Sequence, residues 1–175
     1  MQWPFSYSGG FLISIVAAMT RKRVIARGGR LPWRIPEETA LYRSITKNGT
    51  VIVGRRTFQG LSNAEMGRHC FVLSRTLKEA DGALVYRNLE SAIKAALEIG
   101  DEVYIIGGAS VYADAIKLAE RMYISYIKKD YEGDIFFPEF GDKEWRVEKR
   151  TEYTEFEHVV YRRIEPARNL SFDTN

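Results

Sequence analysis

The sequence predicts an α/β fold: a central sheet of mostly parallel strands, helices on both of its faces, and an antiparallel hairpin at the C-terminal end. The first observation is that short apolar runs rich in β-branched residues alternate with amphipathic helical patterns along most of the chain. The second is that the last two runs, 145–153 and 156–164, alternate apolar and polar residues on either side of a short turn. No internal repeat or low-complexity linker divides the 175 residues, so we expect one main domain.

The elements follow one another in a regular order. Strands are expected where short apolar runs occur, at 12–18, 50–53, 70–74, 83–86, 102–106 and 122–127. Helices are expected at 36–47, from 54 onward, at 89–99 and from 109 to about 118. Pro36 suits a first helical turn, and the acids Glu37 and Glu38 behind it complement the helix dipole. The repeated strand–helix order is what favours parallel pairing.

Composition fits a soluble domain and excludes several other classes of protein. Hydrophobic residues make up 45% of the chain and charged residues 28%, which allows a real core. The net charge of +3 is too weak to indicate nucleic acid by itself. No apolar run approaches the roughly 20 residues of a membrane helix. We expect a domain at 12–165, with an N-terminal arm at 1–11 and a C-terminal tail at 166–175.

Cysteine and histidine usage excludes an internal disulfide and argues against a metal site. Cys70 is the single cysteine, and we expect it to be a small core residue in a reducing cytoplasm. His69 and His158 have no neighbours at ligand-like spacing, so no metal is expected. We expect a cytoplasmic monomer that binds neither nucleic acid nor membrane.

Three predicted strands end in sequence that suits phosphate binding: Val53-Gly54-Arg55-Arg56-Thr57, Leu73-Ser74-Arg75-Thr76, and Ile105-Ile106-Gly107-Gly108-Ala109-Ser110. Glycine lets the backbone approach a ligand, a helix start points N–H groups at it, and arginine adds charge. Because ligands of open α/β sheets bind beyond the carboxyl ends of the strands, the three motifs together predict a dinucleotide site. The G-x-G-x-x-G fingerprint is absent, and any one motif alone could equally serve a turn and a solvated face.

The polar residues of these motifs favour one kind of dinucleotide. Arg55, Arg56, Ser74 and Arg75 would bring cations and a hydroxyl to one ligand region. A ribose 2′-phosphate needs such a set, whereas a free ribose diol is usually bound by a carboxylate. The sequence therefore predicts NADP rather than NAD.

Glu38 is the candidate acid. It follows Leu31-Pro32-Trp33-Arg34-Ile35-Pro36, a stiff and largely apolar loop beside which a carboxylate would be desolvated and its pKa raised. The simpler interpretation is that Glu37 and Glu38 only satisfy the helix N-terminus, and the residues alone favour it.

The motifs also occur in the order and spacing of a known family. They are Ile13-Ser14-Ile15-Val16-Ala17-Ala18, Val24-Ile25, Leu31-Pro32-Trp33, Pro36-Glu37-Glu38, Val53 to Phe58, Ile105 to Tyr112, and Glu132 to Pro138. Over 12–164 this set resembles the dihydrofolate reductases. The resemblance implies a dihydrofolate-reductase-like three-layer fold. It also implies NADPH-dependent reduction of 7,8-dihydrofolate to 5,6,7,8-tetrahydrofolate, with hydride transfer to C6 and protonation of N5.

The resemblance implies roles around the pterin ring of the substrate. Glu38 matches the carboxylate that hydrogen-bonds the pteridine, and Ser125 matches a hydroxyl that supports this acid. Val16 and Ile106 match residues that offer backbone carbonyls to the pterin amine, and Ala17, which follows Val16, is also expected to bind the substrate.

Further residues match the rest of the substrate pocket. Trp33 would shape the pocket and hold a water, and Leu31 would lie where the lid crosses the nicotinamide. Tyr42 and Leu61 would line the benzoyl pocket, and Arg68 matches the arginine that forks onto the α-carboxylate of the substrate.

The cofactor residues implied by the resemblance fall in the phosphate-binding motifs and in the first strand. They are Ala18, Ile25, Gly54, Arg55, Arg56, Thr57, Ser74, Arg75, Gly107, Gly108, Ala109, Ser110, Val111 and Tyr112. Gly107 and Gly108 match a pair joined by a cis peptide bond, and Ala109 stands where the family often has a third glycine.

Two alternative functions remain open from the sequence. One is the related reductase of riboflavin biosynthesis, against which Trp33, Glu38 and Arg68 argue. The other is a non-enzymatic module for a nucleotide or nucleic acid, suggested only by the pI.

A dihydrofolate reductase would also bind antifolate inhibitors. Because Glu38 reaches about one methylene further than an aspartate and Tyr42 adds a hydroxyl, we expect weakened trimethoprim binding, and hence trimethoprim resistance. Methotrexate has a carboxylate tail for Arg68, so we expect its binding to be retained.

Overall fold

The computed structural model describes residues 12–165. The expected arm at 1–11 and tail at 166–175 lie outside the described residues. No helix in the described part of the chain is long and apolar enough to cross a membrane. Residues 12–165 also contain no group of three or more histidine, cysteine, aspartate or glutamate side chains that could hold a metal ion.

Most strands belong to one large sheet. The strands in chain order are β1 (Ile13–Thr20), β2 (Val24–Ala26), β3 (Thr50–Gly54), β4 (His69–Leu73), β5 (Leu84–Tyr86), β6 (Val103–Ile105), β7 (Arg121–Ile127), β8 (Ile135–Phe136), β9 (Trp145–Glu152) and β10 (Phe156–Arg163). Eight of these described strands form a sheet in the order β5-β4-β3-β6-β1-β7-β10-β9. Pairing is parallel from β5 to β7. It is antiparallel from β7 to β10 and from β10 to β9. The predicted parallel sheet and C-terminal hairpin are thus confirmed.

Helices connect the parallel strands. They are α1 (Pro36–Thr46), α2 (Arg55–Phe58), α3 (Leu89–Ile99) and α4 (Ala109–Ala115), with a 3₁₀ turn at Asn63–Glu65. Helix α3 has the predicted bounds because the Asn88 side chain accepts a hydrogen bond from Ser91 N at 2.8 Å, and Gly100 ends the helix in the left-handed conformation. Helix α4 is shorter than predicted and passes into a turn in which Leu118 N donates to Ala115 O.

The core lies on both faces of the sheet because successive side chains of a strand point to opposite sides. In β3, Ile52 packs in the cluster that contains the buried face of α3. Its neighbours Val51 and Val53 pack in a second cluster, against which Tyr42 of α1 lies. Cys70 is buried in that second cluster, and burial raises the pKa of its thiol to about 11, as expected of a core residue.

A two-stranded antiparallel sheet of β2 and β8 was not predicted from the sequence. Strands of two and three residues are too short to show a hydrophobic period. The chain passes very close to β2 at Gly133, where a Cβ atom would lie 2.5 Å from the Ala26 carbonyl oxygen and closer still to Val24 Cγ1. This small sheet fixes the segment that leads into the Trp33 loop.

Candidate active site

A cavity of about 1090 Å³ lies over β1 and the carboxyl ends of β3, β4 and β6. This is the edge at which an open parallel sheet binds its ligands. The predicted site residues that line it are Val16, Ala17, Ala18, Ile25, Leu31, Glu38, Tyr42, Gly54, Arg55, Arg56, Thr57, Leu61, Ser74, Arg75, Ile106, Gly107, Gly108, Ala109, Ser110, Val111 and Tyr112. The structure therefore brings together residues that lie almost a hundred positions apart in the chain.

Glu38 lies in the first turn of α1 and faces this cavity half-buried. Burial raises the pKa of its carboxyl group, the neighbouring Ser125 hydroxyl opposes the shift, and the negative charge of Glu65 adds to it. The α1 N-cap, Ile35, makes no side-chain capping bond. The raised pKa matches the desolvated acid considered from the sequence and differs from that of a carboxylate that only satisfies a helix terminus.

Ser125 and Trp33 support the site from behind the cavity wall. Neither is part of the lining that the described residues form. Ser125 is buried in β7 beside Glu38. Trp33 is buried with Ile35 and packs on Tyr131 at a ring-centroid distance of 5.6 Å. Its Nε1 has no hydrogen-bond partner within residues 12–165, and a buried donor of this kind is usually satisfied by water or ligand.

The end of the cavity near Glu38 is held by hydrogen bonds that join strands and helices. The Tyr112 hydroxyl donates to the Val16 carbonyl oxygen at 2.9 Å, and burial raises the pKa of Tyr112, which keeps the hydroxyl protonated. The Tyr42 hydroxyl donates to the backbone carbonyl of Glu65 at 2.7 Å, which joins α1 to the 3₁₀ turn. The antifolate expectation treated this hydroxyl as an added group that weakens trimethoprim binding. In the structure the hydroxyl is instead hydrogen-bonded to the protein backbone.

Arg68, which the resemblance matches to a substrate-binding arginine, contacts an acid of the protein. Its exposed guanidinium is directed to Asp101, with Nη1 at 3.2 Å from Oδ1, and it does not line the cavity formed by residues 12–165. Asp101 attracts it because the carboxylate is buried and has few donors besides Thr50 Oγ1 at 2.9 Å and His69 Nδ1 at 2.7 Å. The expected contact of Arg68 with a substrate carboxylate thus stays a prediction.

The predicted cofactor end shows the expected glycine geometry. Gly107 and Gly108 are joined by a cis peptide bond, and Gly107 has φ of 120°, a conformation that favours glycine. Gly54 N donates to Gly107 O at 2.7 Å, which brings the ends of β3 and β6 together. Helix α4 begins directly after the pair, at Ala109.

Cationic side chains surround a turn after β4. Ser74 Oγ accepts hydrogen bonds from the backbone N–H groups of Thr76 and Leu77, so it shapes the turn. Arg55 Nη1 donates to Thr76 Oγ1 at 3.2 Å, and Arg87 Nη1 donates to the carbonyl oxygen of Ser74 at 2.8 Å. Four arginines, Arg55, Arg56, Arg75 and Arg87, therefore line this end of the cavity, and Arg87 was not predicted from the sequence.

The segment before Leu31 is held by an acid that directly precedes β8. Gly28 N donates to both carboxylate oxygens of Asp134 at 3.2 Å. Leu31 itself lines the cavity and is 59% exposed, as expected of a residue in a lid.

Comparisons with known proteins agree on one family. The family model described as dihydrofolate reductase matches residues 12–165. The dihydrofolate reductase type A13 of Escherichia coli is 38% identical over 136 residues, covering 77% of this chain and 82% of that protein. The dihydrofolate reductase of Neisseria gonorrhoeae is 38% identical over 143 residues, covering 80% and 87%. A structure of Enterococcus faecalis dihydrofolate reductase, complexed with NADP(H) and RAB-propyl, matches with a TM-score of 0.78 at 24% identity, covering 88% of this chain and 97% of that one.

The chain belongs to the dihydrofolate reductase family.

Family membership confirms the resemblance, the fold and the assignment as an enzyme. The riboflavin-biosynthesis alternative is not favoured by these matches.

Several residues of this dihydrofolate reductase cavity were missed from the sequence. They are Ala26, Gly29, Thr39, Glu65, Leu73, Arg87, Asn88, Leu89, Asp114, Asp134 and Ile135. Asp134 and Ile135 lie within the quoted motif from Glu132 to Pro138, so a motif-level signal existed for them. Glu65 ends the 3₁₀ turn and Arg87 follows β5, and these three-residue elements are too short to show a hydrophobic period that indicates which way a side chain points.

Proposed function

We propose that this chain reduces 7,8-dihydrofolate to 5,6,7,8-tetrahydrofolate with NADPH. The single observation that carries the proposal is the position of Glu38: a carboxyl group with a raised pKa on the wall of a cavity that also contains the cis glycine pair and the arginines. A reduction that consumes one proton is helped by a carboxyl group that burial makes easier to protonate.

The substrate end of the cavity combines this acid with apolar walls. Val16, Tyr42, Leu61 and Ile106 line it together with Glu38. Glu38 would bind the amino group and ring nitrogen of the pterin, while Tyr42 and Leu61 would contact the benzoyl group. Because Glu38 is partly buried, its contacts with the amino group and the ring nitrogen would be stronger than they are in water.

The other end fits a dinucleotide that carries a 2′-phosphate. Arg55, Arg75 and Ser74 lie around the turn after β4, and Gly107 and Gly108 allow close backbone approach at the start of α4. NADPH supplies the hydride when bound. The protein orients the two ring systems across β1, excludes water with the segment that contains Leu31, and holds a proton at Glu38.

Glu38 would promote protonation of N5 of the pterin. A carboxyl group with a raised pKa stays protonated in more molecules near neutral pH than an exposed one, and its charged form stabilises a protonated pterin. Ser125 would hold the carboxyl group in position from below.

Arg68 would bind the α-carboxylate of the substrate with donors that Asp101 leaves free. A guanidinium has five N–H groups, and Asp101 is contacted through Nη1. The same residues would bind antifolates. We further propose that the chain is a cytoplasmic monomer that binds neither nucleic acid nor membrane.

The decisive experiment is the loss of NADPH absorbance when dihydrofolate is added. We expect turnover with dihydrofolate, none with a ribosylaminopyrimidine, and a strong preference for NADPH over NADH. Arg55→Ala combined with Arg75→Ala should reduce that preference, because each charge-assisted contact to the phosphate contributes about 1.5–3 kcal/mol before solvent screening. Equal use of NADPH and NADH by the unmodified protein would contradict the assignment of these arginines.

A further inference from the structure

His158 is a buried histidine that the proposed reaction leaves unexplained. It lies in β10 directly opposite Ser125 of β7 in an antiparallel pair. Side chains at such paired positions project from the same face of the sheet and contact one another. Ser125 Oγ and His158 Nδ1 are 3.3 Å apart, and both residues are buried. The hydroxyl that lowers the pKa of Glu38 is thus itself in contact with an imidazole.

The hydroxyl of Ser125 has a single proton to give. If that proton points at the Glu38 carboxylate, Ser125 Oγ must accept a hydrogen bond from His158, so Nδ1 must carry hydrogen. If Nδ1 carries no hydrogen, the imidazole competes with Glu38 for the serine proton. The tautomer of His158 therefore decides whether the Ser125 hydroxyl donates its hydrogen bond to the Glu38 carboxylate.

The surroundings of His158 keep the ring neutral. Burial lowers the pKa of His158, and the positive charge of Lys149 on β9 lowers it further. The ring stacks on Tyr123 of β7 at a centroid distance of 6.1 Å and an interplanar angle of 18°, which fixes its plane. A neutral, fixed imidazole carries one ring proton and can act as a steady donor.

We propose that His158 is a positioning residue whose Nδ1–H donates to Ser125 Oγ, so that the Ser125 hydroxyl is directed at the Glu38 carboxylate. The three residues then form one hydrogen-bonded chain from β10 through β7 to α1. Other titratable groups act on the two ends of this chain. Near Glu38 they are Glu65 of the 3₁₀ turn, Tyr42 of α1 and Tyr112 of α4. Near His158 the group is Lys149 of β9.

Removing the donor should change the titration of Glu38. In His158→Phe the serine hydroxyl loses its orienting partner and stabilises the carboxylate less, so the pKa of Glu38 should rise by about half a unit to one unit. His158→Asn places an amide donor near the position of Nδ1 and should restore much of the original value. In a Ser125→Ala background His158→Phe should have no further effect, because the chain is already broken.

Two measurements test this. The first is the carbon-13 NMR titration of the Glu38 carboxyl group, with nitrogen-15 shifts of His158 to identify the tautomer; it needs no turnover. The second is the pH profile of kcat/KM with dihydrofolate, which rests on the proposed function. If the unmodified protein shows no turnover while NMR shows the expected chain, the proposed function fails and this inference stands.

His69→Phe is the matched control, since it makes the same substitution beside Asp101 and should leave the Glu38 titration unchanged. Thermal unfolding verifies that each variant is folded. An Nε2–H tautomer overturns the inference. So does a Glu38 pKa that is unchanged or lower in His158→Phe, and so does an equal shift of that pKa with and without Ser125.

Discussion

Two carboxyl groups, Glu38 and Asp101, show opposite behaviour within one small protein. Burial raises the pKa of Glu38, and the negative charge of Glu65 raises it further. The neutral hydroxyl of Ser125 lowers it only in part. Burial pushes the pKa of Asp101 upward too, but hydrogen bonds from His69 and Thr50 and the charges of His69 and Arg68 outweigh it and leave that pKa low. Partners, more than burial, thus decide the charge state of a carboxyl group.

The difference separates a reactive group from a structural one. Glu38 faces the cavity, and burial together with the charge of Glu65 outweighs the effect of Ser125, so its carboxyl group is easier to protonate than an exposed one. Asp101 joins the start of β3 to the start of β4 through Thr50, Arg68 and His69. Each prediction below changes one of these two groups.

The largest expected effect is on turnover in Glu38→Gln. A neutral amide cannot stabilise a protonated pterin, so the rate at neutral pH should fall about 10²–10⁴-fold. The remaining activity should rise at low pH, where solvent protonates the substrate. Asp101→Asn is the matched control and should retain most turnover at saturating substrate. Steady-state kinetics checks both variants, and an unchanged neutral rate in Glu38→Gln would remove this residue from the mechanism.

The next effect concerns the length of the acid. Trimethoprim presents a protonated ring to the carboxylate and has no tail for Arg68, so it depends on where that carboxylate lies. Glu38→Asp should tighten trimethoprim by about 10–200-fold, the range for a misfit of one methylene, and should change methotrexate less. Inhibition constants for both drugs check this. Since the Tyr42 hydroxyl is hydrogen-bonded to the Glu65 carbonyl oxygen, Tyr42→Phe should change trimethoprim affinity little. Equal trimethoprim affinity in the parent and in Glu38→Asp would refute the argument from side-chain length.

A smaller effect is expected on stability in Asp101→Asn. The variant loses charge-assisted hydrogen bonds to Arg68 and His69, whose side chains are about half exposed. The loss should be about 1–3 kcal/mol, or several degrees in Tm. The low pKa of Asp101 contributes stability above the unfolded value of 3.8 that disappears as pH falls through the folded value. The gap in Tm between parent and variant should therefore narrow in acid, and a constant gap would show that charge is not its cause.

The smallest effect has the opposite sign. Because the folded pKa of Glu38 lies above the unfolded value of 4.5, its carboxylate costs stability as pH rises through the folded value. Glu38→Gln removes this cost, so its Tm should slightly exceed that of the parent at pH 8 and match it below pH 4. A lower Tm at pH 8 would mean that the Glu38 charge is stabilising after all.

The sequence predicted the frame of the molecule and most of the cavity wall. Strands β1, β3 and β7 and helix α3 are long enough to show their periods, and the glycine and arginine motifs lie at strand ends where a parallel sheet gathers them. Family resemblance, more than physical reasoning, distinguished Glu38 from an ordinary acid at a helix start.

What the sequence could not show depends on partners that are distant in the chain. Asp101 and Thr50 are 51 positions apart, and Ser125 and His158 are 33 apart, so neither pair forms a local pattern. Arg68 was assigned to the substrate from its motif, whereas its orientation toward Asp101 depends on how β3, β4 and β6 are arranged. His158 seemed isolated because strand pairing, which gives it a partner, is invisible in a linear sequence.

The position of β10 also has a consequence for how the protein is made. Although β10 is the final strand of the described chain, it lies inside the sheet, between β7 and β9. During synthesis β7 and β9 both leave the ribosome before the strand that joins them, so the edge of β7 stays unpaired until residue 163 has emerged. The strands of the nucleotide-binding half can therefore pair early, while His158 on β10, which contacts Ser125, joins the sheet last.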